Sequence, residues 1–424
     1  MTNDSRFSKQ VAWTFVTRVL MVINSVVAGI VVARWLGAEG VGELAVVNVT
    51  VATVVQLGSF GLPSSNTYFI AKDQERFRAA AINSLIFTLA VGLVLAVALS
   101  FIASSRPHWF GFMAADLIPI AAVSIPFQLI GLIGLNMLLA IGKVREFNLL
   151  DLAGQSFVLL NAVWVLQILN ADVGTLVLWN TMASIVVSVI VAVKLLMSAR
   201  SLAQSKWRPD LALLRRMILY GLKFHVSILA GAIIIRADLL VVNHFRDAAE
   251  AGVYSVASQF ALLLMLLPGV IATLLFPRVT EEQDGGGETT CRVVRYTTFI
   301  MFLFCIAVVP LSLLIPVVYG MAFNEATGLL LILLPGVYLM GLESVLVQHF
   351  NATGLPRAIP LYWVATLVLN LILVFALVPR FGDVGAAVAS TVSYAAIFGL
   401  VALHFHTSTG RSFSEVFVLG SLRG

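Results

Sequence analysis

Runs of about twenty or more predominantly apolar residues return twelve times along the chain, at 11–33, 43–70, 79–103, 116–141, 147–169, 173–197, 217–245, 252–276, 295–319, 327–352, 358–379 and 384–406. About twenty such residues are what a helix needs to cross a hydrocarbon core roughly 30 Å thick. Lipid offers no hydrogen bonds, so a chain that crosses it must be a bundle of helices or a closed barrel. Barrel strands would be alternating stretches of about ten residues, and these are not present. Only 11% of the 424 residues are charged while 60% are hydrophobic, against about a quarter charged in ordinary soluble domains. The chain therefore reads as an all-α polytopic membrane protein. Its first apolar run is too long for the core of a cleaved signal and contains Arg18, so it reads as a retained first span.

A formal charge of +5 raises the question of nucleic acid. The basic residues, however, fall mainly between the apolar windows, where they set topology rather than bind a polyanion. With the N-terminus inside, 19 of the 26 lysines and arginines lie in inner segments and four (Arg34, Arg106, Arg246 and Arg380) in outer loops. Both termini are thus expected in the cytoplasm, with no nucleic-acid partner. The longest polar connection, SARSLAQSKWRPDLALLRR, is basic, contains Pro209 and divides the windows six and six. The expected organisation is an N-terminal lobe over 1–198, a cytoplasmic linker over 199–216, a C-terminal lobe over 217–406 and a cytoplasmic tail over 407–424. Cys291 falls in a polar connection and Cys305 in a span; neither has a CxxC or metal-site spacing, so both read as unpaired.

Shifting the sequence by 210 residues lays VVARWLGAEGVGELAVV (31–47) over VVNHFRDAAEAGVYSVA (241–257). Further on, AIGKVR (140–145) matches ATGLPR (352–357), and LNAVWVLQILNADVG (160–174) matches LNLILVFALVPRFGDVG (369–385), with Asn161 over Asn370 and DVG recurring. Three matches in the same order point to an internal repeat. Each unit holds six spans, an even number, so the two lobes share an orientation. Parallel repeats of this kind build two-lobed transporters with a central cavity between the lobes. No filter-like repeat or charged ring points to a channel.

An ionisable group at the bilayer centre costs about 2.5–3.5 kcal/mol on insertion scales, so it faces protein or a wet cavity. Arg18, Lys223, Arg236, Asp238 and Glu343 lie in spans, while Asp116 and Asp151 lie near span ends. Lys223, near the inner end, can snorkel to the headgroups. At about 100° per residue, His225, Arg236 and Asn243 share one stripe of the seventh span, and Asp238 lies about 200° away from Arg236. The two charges therefore point to different faces. One faces a cavity and the other finds a partner in its own lobe; which is which stays open. In the first span, Thr14, Arg18 and Ser25 line one face. That span is the repeat partner of the seventh, so two guanidinium groups could converge on one anion, for which their forked donors suit phosphate. Glu343 can serve as an ion or proton site or make a structural hydrogen bond. Prolines inside spans, including Pro119, Pro126, Pro268, Pro310 and Pro335, can kink helices. No phosphate-binding loop, HExxH, nucleophile elbow or DxD occurs, so neither enzymatic activity nor a cofactor is expected.

ARWLGAEGVGELAVV near the N-terminus, ADLLVVNHFRDAAEAGVYSVASQF opening the second half, the following FPRVTE, and AIGKVR resemble the O-antigen type polysaccharide flippases of the multidrug/oligosaccharidyl-lipid/polysaccharide exporter superfamily. The resemblance implies a twelve-helix, two-lobed transporter of the bacterial inner membrane that moves an undecaprenyl-pyrophosphate-linked oligosaccharide to the outer leaflet. Its partners would be membrane lipids, H+ or Na+, and polysaccharide polymerase or export machinery. Arg18 and Arg236, with His225 on the same stripe, would then meet the pyrophosphate. Asp238 and Glu343 would be ion-coupling candidates, and Asn243 and Ser25 would add cavity polarity. The alternative within the superfamily is a multidrug or metabolite antiporter. A glycan polymerase would need a large outer loop bearing catalytic polar residues, and every outer loop here is short.

Overall fold

The computed structural model describes residues 3–202, 207–282, 287–354 and 356–417, so linker residues 203–206, with Lys206, and tail residues 418–424, with Arg423, lie outside the described residues. Among those described there is no strand. Fifteen helices follow one another: α1 (Asn3–Gly58), α2 (Leu62–Lys72), α3 (Phe77–Ser105), α4 (Phe112–Ala122), α5 (Ile125–Ala140), α6 (Val144–Ala162), α7 (Val173–Leu202), α8 (Leu211–Phe245), α9 (Ala248–Leu263), α10 (Leu266–Glu282), α11 (Glu288–Ser312), α12 (Ile315–Tyr319), α13 (Asn324–Thr353), α14 (Ala358–Thr409) and α15 (Phe413–Phe417).

Each of the twelve apolar windows coincides with one helix, part of one, or a broken helix, which makes this a multi-pass membrane protein. Nine of the described helices are long and apolar enough to cross, and the pair α4–α5, bent by 55° at a short break, adds one more. Two of the nine run for 46 and 52 residues, lengths of about 70 and about 80 Å at 1.5 Å per residue, more than twice the hydrocarbon thickness. Each is divided by a glycine outside helical geometry, Gly37 in α1 (φ 68°, ψ −171°) and Gly382 in α14 (φ 59°, ψ −138°). A positive φ is open to glycine at little cost, so one residue suffices to separate two spans.

The prolines act in two ways. Pro126 follows the Val123–Ser124 break and sits in the first turn of α5, where its missing N–H costs nothing. Pro119, Pro310 and Pro335 lie inside helices that continue past them. The 43–70 window is broken at 59–61, where Phe60 and Gly61 both take positive φ before α2 begins. Gly61 also lies so close to α8 that a Cβ there would come within 2.3 Å of the Gly221 carbonyl oxygen.

Internal contacts divide the chain into two compact units, Met1–Ala232 and Ile233–Gly424. In the first, one core gathers Leu62, Ile70, Phe77, Met137, Leu195 and Met217, and a smaller one gathers Val32, Val165, Leu166 and Leu176. The described flanks of the linker are tied to α3. Arg78 donates to the Ala199 and Arg200 carbonyls and lies over the Trp207 ring, while Asn83 exchanges two hydrogen bonds with the Asp210 backbone. In the second unit the core runs through Leu275, Cys291, Val345, Phe350, Ile397 and Phe405 to Val416. Cys291 is therefore a buried helical residue of α11 rather than part of a polar connection, and neither cysteine forms a disulfide. The described start of the tail is also docked: Ser412 and Glu415 form a reciprocal cap, and the Glu415 carbonyl accepts from Arg295. Elsewhere large apolar side chains face outward, with Leu93 and Phe101 of α3 62% and 72% exposed. Such a surface is stable against lipid tails, not against water.

Candidate functional site

The first expected cation is already paired. α1 and α6 are joined by a polar seam in which Asn148 donates to the Thr14 hydroxyl (2.8 Å), Arg18 meets Asp151 (3.0 Å) and Asn24 donates to Ser156 (2.9 Å). The contacts ascend both helices together, so the first and fifth spans run parallel. Arg18 is half-buried, with the Met21 sulfur at 3.6 Å and the Phe147 ring at 5.7 Å. Asp151, expected near a span end, is instead the counter-ion of Arg18. Ser25 is half-buried and also partnered.

On α8 the pattern is reversed. Arg236 is half-buried and makes no ion pair or hydrogen bond to any described residue. A guanidinium with five donors and no acceptor of its own, removed in part from water, is a ready anion-binding group. Asp238, only 1% exposed, turns to the other side of the helix. It accepts hydrogen bonds from the Tyr254 hydroxyl of α9, the Ser390 hydroxyl of α14 (2.6 Å) and the Leu239 N–H (2.8 Å). Two adjacent charges are thus separated by helical phase: one held inside its unit, the other uncommitted.

His225, on the stripe that carries Arg236, is buried with its ring stacked on Phe60 at 6.3 Å. Neither ring nitrogen makes a well-formed hydrogen bond to any described residue. This packing makes His225 a part of the α8 contact with the 59–61 turn. Asn243 is buried and partnered. Glu343 of α13 is 2% exposed, and its Oε1 has no hydrogen-bond partner among the described residues. A buried carboxyl with an unused oxygen can take a proton or a small cation.

The partners that complete these groups are Asp151, Tyr254 and Ser390. Tyr254 lies in AGVYSVASQF, directly after the stretch bearing Asp238, so its polarity in an apolar helix was a usable signal. Nothing in the local pattern marks Ser390. The Asn161–Asn370 correspondence has a structural counterpart: Asn161 donates to Asn180 (3.0 Å) in the first unit and Asn370 to Ser393 (3.1 Å) in the second, each tying a span to the one that follows it.

The family model for polysaccharide biosynthesis proteins matches residues 7–283, well over half of the chain. A probable low-salt glycan biosynthesis flippase, Agl15 of Haloferax volcanii, is 22% identical over 375 residues, covering 86% of this chain and 76% of that protein. A putative O-antigen transporter of Shigella flexneri is 26% identical over 184 residues, 42% of this chain and 44% of that protein, so the match spans less than half of the relative's length. Among solved structures, the lipid II flippase MurJ in an inward closed conformation superposes with a TM-score of 0.77 at 15% identity, over 94% of this chain and 89% of that one. An inward-facing multidrug resistance MATE transporter superposes with a TM-score of 0.73 at 16% identity, over 92% and 96% of the two chains. At these identities the superpositions speak for the fold, which is that of the MurJ and MATE transporters. With the family model covering most of the first eight spans and the helical architecture agreeing along the chain, this protein belongs to the polysaccharide biosynthesis protein family.

Proposed function

We propose that the protein is a flippase that carries an undecaprenyl-pyrophosphate-linked oligosaccharide from the inner to the outer leaflet of a bacterial inner membrane by alternating access, driven by a proton or sodium gradient. Family membership and the flippase and transporter names of the relatives support the class. Arg236 carries the substrate assignment: a half-buried guanidinium without an acidic partner among the described residues suits a pyrophosphate. Arg18, whose charge is shared with Asp151, contributes a weaker field. His225, Asn243 and Ser25 shape the polar stripes beside the two arginines.

For coupling, Asp238 and Glu343 are the two carboxylates. Asp238 has hydroxyl partners that can follow a change in its charge, and Glu343 has an unused oxygen. Inner-membrane residence, cytoplasmic termini and cooperation with a polymerase belong to the same reading. The MATE-like fold favours one competitor, a cation-coupled antiporter of small molecules.

The test is reconstitution in proteoliposomes with two cargoes, a lipid-pyrophosphate oligosaccharide and a cationic dye. The account expects flipping of the first, lost in Arg236→Ala and partly kept in Arg236→Lys. Movement of the dye alone, indifferent to Arg236, would replace the flippase reading with the antiporter.

A further inference from the structure

The DVG triplet occurs twice, and its two aspartates meet opposite surroundings. Asp172 stands at the exposed start of α7, where its Oδ1 accepts from the Thr175 N–H (2.9 Å) and hydroxyl (2.7 Å). Three residues after Asp383 the chain has Ala386, which offers no hydroxyl. Asp383, beside the Gly382 kink, is only 7% exposed. Its Oδ1 accepts the Val384 N–H at 2.7 Å, and its Oδ2 has no hydrogen-bond partner among the described residues.

The charged groups that act on it come from three neighbouring elements. Arg246, in the α8–α9 connection, and Glu250, in the first turn of α9, pair loosely at 3.5 Å, and Glu325 lies in the first turn of α13. The pair lies against the kink itself: a Cβ on Gly382 would come 2.5 Å from Glu250 Oε2 and 2.9 Å from Arg246 Nε. Of these neighbours the one guanidinium, Arg246, favours the charged form of Asp383 and the two carboxylates disfavour it, while Arg380 lies three residues earlier on the same connection. The most buried of the three carboxylates, with an oxygen unused, is where a proton is best placed. No group of three His, Cys, Asp or Glu among the described residues is arranged to hold a metal ion, and a single unused carboxylate oxygen suffices for a proton.

We propose that Asp383 is a proton-binding site at the connection between the last two spans, and that its charge decides whether Arg246 stays with Glu250 or turns to Asp383. A proton from the side that the positive-inside count makes external adds to Oδ2, and no other covalent bond changes. With Asp383 neutral, Arg246 remains beside Glu250. With Asp383 ionised, Oδ2 becomes a second acceptor for the guanidinium and draws it, and the connection that ends α8, toward the kink. The helix that carries Arg236 and Asp238 thereby has an outer end responsive to external pH.

The test needs no substrate, so it stands apart from the flippase reading. Purified protein in lipid nanodiscs is titrated while aspartate carboxyl signals are followed by carbon-13 NMR or infrared difference spectroscopy. The expected result is an aspartate that stays protonated well above the ordinary range near 3.9 and vanishes from the spectra of Asp383→Asn. Ala386→Ser, which restores the first copy's hydroxyl, should move that midpoint down by about one unit, because hydrogen bonds to the charged form favour it. Arg246→Gln should move it up. If Asp383→Asn does not fold, the other two variants still decide. No aspartate titrating in the raised range, or a midpoint unmoved by both Ala386→Ser and Arg246→Gln, would overturn the proposal.

Discussion

The first and seventh spans each carry a half-buried arginine, yet the two arginines are built into the fold differently. Arg18 of α1 has a carboxylate at 3.0 Å on α6 and sits in a seam of side-chain contacts between two helices. Arg236 of α8 has an aspartate two residues away that is turned from it and bound elsewhere. The first arrangement joins helices; the second leaves a cation uncommitted. The partner on the neighbouring helix makes the difference between the two arginines.

The largest expected effect comes from removing the uncommitted charge. Arg236→Ala should lower flipping by about a hundredfold, the equivalent of one or two charge-assisted hydrogen bonds of roughly 1.5–3 kcal/mol, with the protein still inserted and folded by fluorescence-detected size exclusion. Next, Tyr254→Phe and Ser390→Ala each take a donor from buried Asp238. Each should destabilise the protein by about 1–3 kcal/mol in thermal unfolding, and Asp238→Asn should abolish the gradient dependence of flipping. Equal loss of stability in a background that already carries Asp238→Asn would separate these hydroxyls from the carboxylate.

A smaller effect is expected at the seam. Asp151→Asn should destabilise modestly, because the pair is partly exposed to solvent and screened. The double change Arg18→Met with Asp151→Leu should recover that loss and keep flipping within about threefold of the parent, since removing both partners leaves neither charge without its counter-ion. If the double variant is as inactive as Arg236→Ala, the contrast between the two arginines fails.

The smallest effect lies at Asp172. Hydrogen bonds from Thr175 hold its carboxyl below the usual carboxylate range. A lowered folded value means that this contribution to stability is present above the unfolded value and lost as pH falls through the folded one. Thr175→Ala should therefore raise the Asp172 midpoint seen by NMR and slightly lower stability at neutral pH, with a correspondingly smaller loss as the pH falls.

Much of this was legible in the residues. Windows of about twenty apolar residues marked the spans because lipid permits little else, and helical phase alone separated Arg236 from Asp238. The divisions at Gly37 and Gly382 were less visible, since one glycine with positive φ leaves almost no polar loop in the sequence. Asp151 stands out in the sequence only as a residue near a span end, because its partner Arg18 lies 133 residues earlier and no local pattern reports that distance. The hydroxyls of Tyr254 and Ser390 were hidden for the same reason: a serine in a span can satisfy itself on its own helix, as Ser393 does with the Ala389 carbonyl, or reach across, as Ser390 does.

The most direct test is the affinity of the purified protein for a lipid-linked pyrophosphate, compared between the parent, Arg236→Ala and the Arg18→Met/Asp151→Leu pair at two salt concentrations. The account predicts that Arg236→Ala alone loses most of the binding and most of its salt dependence, while the seam variant keeps both. Undiminished binding in Arg236→Ala, or loss in the seam variant instead, would contradict it.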